Sequence, residues 1–382
     1  MNGLRNMMDK MKPTFSKGGK LSFLGSTFEA FETFLFVPDT TTRRGAHIRD
    51  ANDMKRTMIM VVVALMPALF FGFYNTGLQH FAMLGQTASW WDCTWFGFLR
   101  VLPIIVVSYV VGLGIEFAFA QARGHEVNEG FLVTGLLIPM IMPVDIPLWM
   151  VALGTAFAVI FGKEVFGGTG MNVFNPALLA RAFIFFAYTP SISGETVWYA
   201  GLSRGAIPVD GFSGATALEQ LGTTGTMAYS PMDAFLGFIP GSIGETSTLA
   251  ILIGAAILLY TGVASWRSML SVFAGGLLMG WLFQALGVTA YPAWWHLIVG
   301  VFAFGAVFMA TDPVTSSQTN TGKYIVGLMT GALAVLIRVV NPAYPEGMML
   351  SILFMNALAP LVDYYVVERN VARRKKRVKL AK

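Results

Sequence analysis

Ten hydrophobic segments dominate this chain, at roughly 57–74, 96–120, 130–147, 148–162, 176–189, 248–263, 268–287, 295–311, 324–340 and 347–367. Several reach the ~20 residues that cross a hydrocarbon core. In lipid every backbone polar group must be satisfied internally, so such segments become helices. Two segments are weak: the third is interrupted by Pro139, Pro143 and Pro147, and the fifth is only about fourteen residues long. Composition agrees with the hydropathy. The chain is 55% hydrophobic and 12% charged, with mean hydropathy +0.62, whereas a soluble domain carries about a quarter charged residues. The expected fold is an all-α polytopic membrane protein with about ten transmembrane helices.

Charge supplies the orientation. Of the 26 Lys and Arg, eighteen lie in residues 1–56 and 369–382. The run Arg373, Arg374, Lys375, Lys376, Arg377 directly follows a hydrophobic segment, which reads as a cytoplasmic anchor in contact with anionic headgroups. Basic residues gathered at the two ends rather than over one face argue against a nucleic-acid partner. With both basic ends cytoplasmic the number of crossings is even, and ten satisfies this. Lys163, Arg267 and Lys323 then fall inside. The segment 190–247 falls outside, with one basic residue, Arg204, against Glu195, Asp210, Glu219, Asp233 and Glu245.

The chain divides accordingly into a cytoplasmic N-terminal region (1–56), a first transmembrane half (57–189), a periplasmic loop (190–247), a second transmembrane half (248–367) and a basic cytoplasmic tail (368–382). The polar first 56 residues hold no cleavable signal peptide, so the first helix is expected to act as the insertion signal. Five crossings in each half would make the halves inverted, an arrangement that often builds a midplane site from broken helices. Two breaks, GGTGMNVFNP (167–176) and DPVTSSQTNTG (312–322), each follow a hydrophobic run. They fit either such a repeat or two ordinary loops.

Several chemistries are excluded or disfavoured. Cys93 is the one cysteine, so the chain forms no internal disulfide and no all-cysteine iron–sulfur cluster by itself. Four histidines without paired spacing give no zinc or haem signature. No strand is followed by G-x-G-x-x-G, so a dinucleotide site is not expected. The stretch 210–218, DGFSGATAL, is a small-residue turn that exposes the Thr216 hydroxyl, and Gly214 allows close backbone approach. Alone it reads as a surface turn or as an attachment point for a bulky group.

The order of longer motifs is more specific. RRGAHIRD (43–50), HEVNEGF (125–131), KEVFGGTGMNVFNPAL (163–178) and RAFIFFAY (181–188) are followed by GFSGATAL (211–218) and PMDAFLGFIPGSIGETSTLA (231–250). ATDPVTSSQTNTGK (310–323) and RVVNPAYPEGMML (338–350) complete the series. Across nearly its whole length the chain resembles the B-subunit family of the Na+-translocating NADH:quinone reductases. The resemblance implies a six-subunit complex in the bacterial inner membrane. It also implies FMN joined by a phosphoester to Thr216, within Ser213-Gly214-Ala215-Thr216, by a separate flavin transferase. A non-covalent riboflavin and part of a ubiquinone site are implied as well, with NADH oxidised elsewhere in the complex. The close rival is the D-subunit family of the Rnf-type ferredoxin:NAD oxidoreductases, which shares the flavin motif. The long basic N-terminal region and NPAYPEGMML favour the first family. Rivals without redox function are a channel or secondary transporter and a structural assembly protein.

Intramembrane acids cost about 2.5 kcal/mol or more and are functional candidates by default. The family's sodium-uptake acids map onto Glu116, Asp312 and Asp363, with Glu29 as a weaker fourth. The alternatives are that Asp312 caps a helix end and that Asp363 pairs with Arg369 or Lys375. The family's quinone and inhibitor region maps around Gly112. There this chain has Gly112-Leu113 where many members have two glycines, and leucine is expected to narrow any pocket. Glu126 and Glu129 lie in a cytoplasmic turn that could border this region or be solvated. His47, His80 and His125 read as ordinary polar residues.

Overall fold

Residues 2–15, 25, 28, 32, 42, 44–48, 54–123, 130–202, 214–341 and 346–380 are described by the computed structural model, and among them all regular structure is helical. After a short N-terminal helix, α1 (Asn2–Phe15), come the two long hydrophobic helices α2 (Met54–Met83) and α3 (Trp90–Arg123). They cross closely because glycine removes the side chain at the contact. A Cβ on Gly97 would collide with the carbonyl of Phe73, and one on Gly77 with that of Cys93. Small residues perform this role in membrane helices, where packing rather than water exclusion drives association.

The next segment ends early. α4 (Phe131–Met140) stops where Pro139, Pro143 and Pro147 remove backbone donors. The turn after it is buried and is satisfied from the 238–247 connection: Gly244 N–H donates to Met140 O at 2.7 Å and Ile243 N–H to Met142 O at 3.3 Å. α5 (Leu148–Val159) runs into a π-helical turn, Ile160–Glu164. α6 (Pro176–Ala187) begins on Asn175, whose side chain caps it, with proline at the first position.

The described residues of the 190–247 segment include two short helices. These are α7 (Ala217–Thr224) and α8 (Pro231–Leu236), capped by Thr216 and Ser230. Both read Ser/Thr-x-x-acid from the capping residue, a helix-start signature. Ala217, Leu218, Leu221, Ala234 and Ile239 bury a small apolar core with Tyr291 and Val299. Asp145 ties the start of the segment to the bundle, both its oxygens accepting from Gly201 N–H at 2.8 and 2.9 Å.

The second part of the chain is α9 (Thr248–Tyr260), α10 (Trp266–Ala285), the short pieces α11 (Trp295–Ile298) and α12 (Phe302–Phe304), α13 (Asn320–Val340) and α14 (Met348–Leu380). α12 continues into a second π-helical turn, Gly305–Met309. α10 and α13 form the most extensive helix pair, again through glycine: a Cβ on Gly331 would strike the Val272 carbonyl. α9 packs on α2, α14 on α13 and α6, and one continuous apolar core joins the two parts.

Among the described residues, five helices are long and apolar enough to cross a membrane: Arg56–Met83, Trp90–Arg123, Trp266–Ala285, Asn320–Val340 and Met348–Arg377. Phe131–Met140, Pro176–Ala187 and Thr248–Tyr260 are apolar but shorter. At ~1.5 Å per residue they extend only about 15–20 Å. The expected segment 295–311 is interrupted at Gly300, whose φ of 72° lies in the left-handed region. Hydropathy locates the apolar stretches; proline and glycine decide which of them remain one helix. The protein is thus a multi-pass helical membrane protein of long helices and shorter, broken ones.

Candidate functional site

Polar residues gather at the two ends of α13, separated by roughly 30 Å of helix. At the Asn320 end lie three of the expected acids. Glu116, on the buried face of α3, is paired with Lys163 in the first π-helical turn, and each is only 4% exposed. A buried ion pair of this kind is costly unless each charge keeps its partner. Beside it, Arg123 contacts Glu164 Oε2 at 3.4 Å and donates to Glu164 O at 2.8 Å. Asp312 is half-buried among donors. It accepts from Val314 N–H at 2.9 Å, Thr315 Oγ1 at 3.2 Å and Asn175 Nδ2 at 3.2 Å.

Among the described residues, Asp363, on α14, meets no base of the tail and takes its partners from the loop before α13. Its carboxylate accepts from Ser317 Oγ at 2.6 Å, Gln318 N–H at 2.7 Å, and Thr319 N–H and Oγ1 at 3.1 and 2.5 Å. It therefore fixes the loop that enters α13. A cavity of about 110 Å³ separates these groups, walled by Lys163, Asn172, Asn175 and Asp312 together with apolar Leu137 and Phe308. Asp312 lines it directly, and Glu116 reaches it through Lys163. Glu29 lies outside the described residues, as do Glu126, Glu129 and His125.

Gly112 and Leu113 do not line this cavity. Gly112 faces Phe131, whose ring occupies the space a Cβ would need. Leu113 is half-buried on the neighbouring face of α3.

At the Arg338 end is a second cavity, of about 220 Å³, bordered by Thr216, Trp198, Arg181, Glu245, Thr246 and Glu346. Thr216 stands at its rim as the N-cap of α7, Oγ1 accepting from Glu219 N–H at 3.2 Å. Gly214 is buried, where a Cβ would meet Glu195 O, while Ala215 is half-buried. Ser213 lies outside the described residues.

Below Thr216 the wall is charged. Arg181, in the middle of α6, donates to Ile141 O, Glu346 Oε1 and Ser242 Oγ, the last at 3.1 Å. It also lies 3.7 Å from Glu245 Oε2. Arg338 donates to His296 O at 2.8 Å and faces Glu245 and Glu346 electrostatically. Burial pushes the Glu245 carboxyl up to about 7, with Arg181 opposing and Glu346 reinforcing the shift. Burial and the nearby Glu195 also raise Glu219, on α7. Two buried atoms on the cavity residues make no hydrogen bond, Glu245 Oε2 and Thr246 Oγ1. Such atoms are unusual in a folded interior and favour a polar occupant.

A search of the sequence for acids inside hydrophobic segments passes over this cluster. Arg181 and Arg338 fall within the segments 176–189 and 324–340, and an intramembrane cation carries the same signal as an anion.

A multi-pass helical bundle with a polar cavity at each end, one lined by Thr216 and the other by Lys163 and Asp312, defines an integral membrane protein with charge buried among its helices. Its sequence narrows the class. Residues 41–372 match the NQR2, RnfD, RnfE family, and the chain belongs to that family. It is 49% identical to the B subunit of the Na(+)-translocating NADH-quinone reductase of Chromohalobacter salexigens, over 98% of this chain and 97% of the relative. The proteins of the same name from Pseudomonas paraeruginosa and Azotobacter vinelandii are each 48% identical, over 97% of this chain and 98% of theirs.

Proposed function

We propose that this chain works as the B subunit of a Na+-translocating NADH-quinone reductase, a flavin-bearing membrane component that passes electrons toward quinone and contributes to the Na+ path. The observation that carries the reading is Thr216, a helix-capping hydroxyl at the rim of a cavity whose wall keeps Glu245 Oε2 and Thr246 Oγ1 without hydrogen bonds. A phosphoester on Thr216 would set the FMN phosphate at the N-terminus of α7, where free N–H groups and the helix dipole favour an anion. Its ring would extend toward Trp198 and the charged wall, and Thr246 offers a hydroxyl to a ring heteroatom. The flavin supplies the redox chemistry; the chain holds it, excludes water and sets the charge around it.

We place the non-covalent riboflavin at the other cavity by its lining, with amide and hydroxyl groups of Asn172, Asn175 and Thr311 on one side and Leu137 and Phe308 on the other. At about 110 Å³ it is smaller than the roughly 300 Å³ such a ligand needs, so the walls must part to admit it. Glu116, Asp312 and Asp363 would supply oxygen ligands to Na+ nearby. Ubiquinone, the flavin transferase and five further subunits complete the assembly in a bacterial inner membrane, with both termini cytoplasmic and 190–247 periplasmic. Ten membrane segments in two inverted halves fit this arrangement.

The test is in-gel flavin fluorescence of the denatured chain, wild type beside Thr216→Ala, after co-expression with a flavin transferase. Mass spectrometry of the loop peptide accompanies it. A fluorescent wild type whose peptide gains FMN less one water, beside a dark variant, is expected. A dark wild type overturns the flavin reading and favours a non-redox transporter.

A further inference from the structure

The charged wall of the Thr216 cavity holds a carboxylate that flavin attachment does not require. Glu245 is 6% exposed and sits in the connection before α9, with Oε1 accepting from Ser242 N–H at 3.3 Å. Its Oε2 makes no hydrogen bond and lies 3.7 Å from Arg181 Nη1. The charged groups facing it come from three other elements: Arg181 on α6, Arg338 on α13, and Glu346 just before α14. Glu219, on α7, lines the same cavity. Arg181 and Arg338 against Glu245 and Glu346 give a formal sum of zero, and Glu219 adds one negative charge, so the cavity has no surplus positive charge to receive an electron. An electron arriving in this enclosed space would leave one more negative charge unbalanced, and in a water-poor interior that charge is expensive.

We propose that Glu245 is the proton-exchanging group that balances the charge gained by a flavin ring in the Thr216 cavity when the ring is reduced. The inference rests on the flavin reading above. The arginines cannot serve, since guanidinium stays protonated in proteins. Glu346 already takes a direct bond from Arg181. Glu245 has a free oxygen, a neighbouring cavity and a proton affinity already lifted by burial.

When a flavin ring here gains one electron from the neighbouring redox partner, the Glu245 carboxylate would take one proton from hydronium at the cavity mouth, whose O–H bond breaks to leave water. An O–H bond forms on the carboxyl, no other bond in the chain breaks, and the net charge of the cavity is unchanged. On reoxidation the electron leaves and the carboxyl returns its proton to water.

The experiment is a spectroelectrochemical titration of the covalent flavin in the purified complex, at several pH values around neutrality. Wild type is compared with Glu245→Gln, with flavin occupancy read first by in-gel fluorescence. The wild-type potential is expected to fall more steeply with pH than the variant's, by one proton per couple. That is about 59 mV per pH unit for a one-electron couple and about 30 for a two-electron couple, from the tenfold change in proton activity. Redox-difference infrared spectra are expected to show a protonated carboxyl band on reduction that Glu245→Gln lacks.

Equal slopes in two flavin-loaded proteins overturn the inference and leave the flavin reading intact. A slope difference that Na+ concentration abolishes also overturns it, because the balancing cation is then sodium. A wild type without flavin overturns both. Should Glu245→Gln fail to assemble, Glu245→Asp decides: a displaced carboxyl band and an altered pH range are expected, and an unmoved band refutes the assignment.

Discussion

Asn175 and Asp312 lie 137 residues apart and share a side-chain hydrogen bond of 3.2 Å. The same Asn175 accepts from Ala177 N–H at 3.0 Å and Leu178 N–H at 3.3 Å through its other amide atom, so one residue both starts α6 and holds the second part of the chain. Asn175→Ala should remove a helix cap worth about 1 kcal/mol and also strip a donor from the half-buried Asp312 carboxylate. Asn175→Asp keeps the cap but sets two carboxylates together. We expect it to be the less stable variant without Na+ and the one that Na+ stabilises most, as measured by thermal unfolding in detergent across a sodium series.

The Glu116–Lys163 pair predicts non-additive damage. Removing either partner leaves an uncompensated buried charge, at about 3–5 kcal/mol, whereas replacing both with neutral groups costs less. Glu116→Gln and Lys163→Met should each lower the melting temperature more than the double variant does. An additive double variant would show that the two groups are independent.

Gly112 predicts a steric failure. The Phe131 ring stands where a Cβ would go, so Gly112→Ala should cost about 1–3 kcal/mol by overpacking, and Phe131→Leu on that background should recover part of it. Leu113→Gly, which restores the family's glycine pair, is expected to change stability by about 1 kcal/mol, the usual loss from glycine in a helix. Inhibitor titration of these variants separates packing from quinone binding.

Gly214 offers a probe of attachment that leaves the hydroxyl in place. A Cβ there would press on Glu195 O and the Tyr199 ring, pushing the 214–216 strip out of position. Gly214→Ala should lower flavin incorporation several-fold in the gel assay, while Thr216→Ser, which keeps both hydroxyl and cap, should retain most of it.

Glu245 also leaves a mark on stability. Its folded-state affinity for protons is raised from the ordinary value of 4.5 to about 7, so the folded chain binds more protons than the unfolded one between those values. The resulting contribution is present in full below about 4.5 and is lost as pH rises through about 7. The melting temperature of wild type should therefore decline across that window more steeply than that of Glu245→Gln. Parallel profiles would show that the carboxyl does not titrate there.

The apolar stretches are legible in the sequence because hydropathy is a local property. Thr216 stands out through the longer series of motifs around it, and the Thr216-x-x-Glu219 capping pattern, equally local, marks the start of α7. The partners are not legible: Lys163 lies 47 residues from Glu116, and Arg181 is 165 residues from Glu346. No spacing rule reaches that far. The identity of Asp363's partner, the 317–319 loop rather than a basic neighbour, depends on how α14 packs on α13, which only the assembled bundle decides.

α14 runs unbroken from Met348 to Leu380, about 50 Å at 1.5 Å per residue, well beyond the hydrocarbon thickness. Asp363, near its middle, grips the loop at the start of α13. The basic tail and that loop are thus fastened to one rod. A few degrees of tilt imposed on the projecting arm, whether by a neighbouring protein of the complex or by anionic lipid, would be delivered as torque beside Asp312.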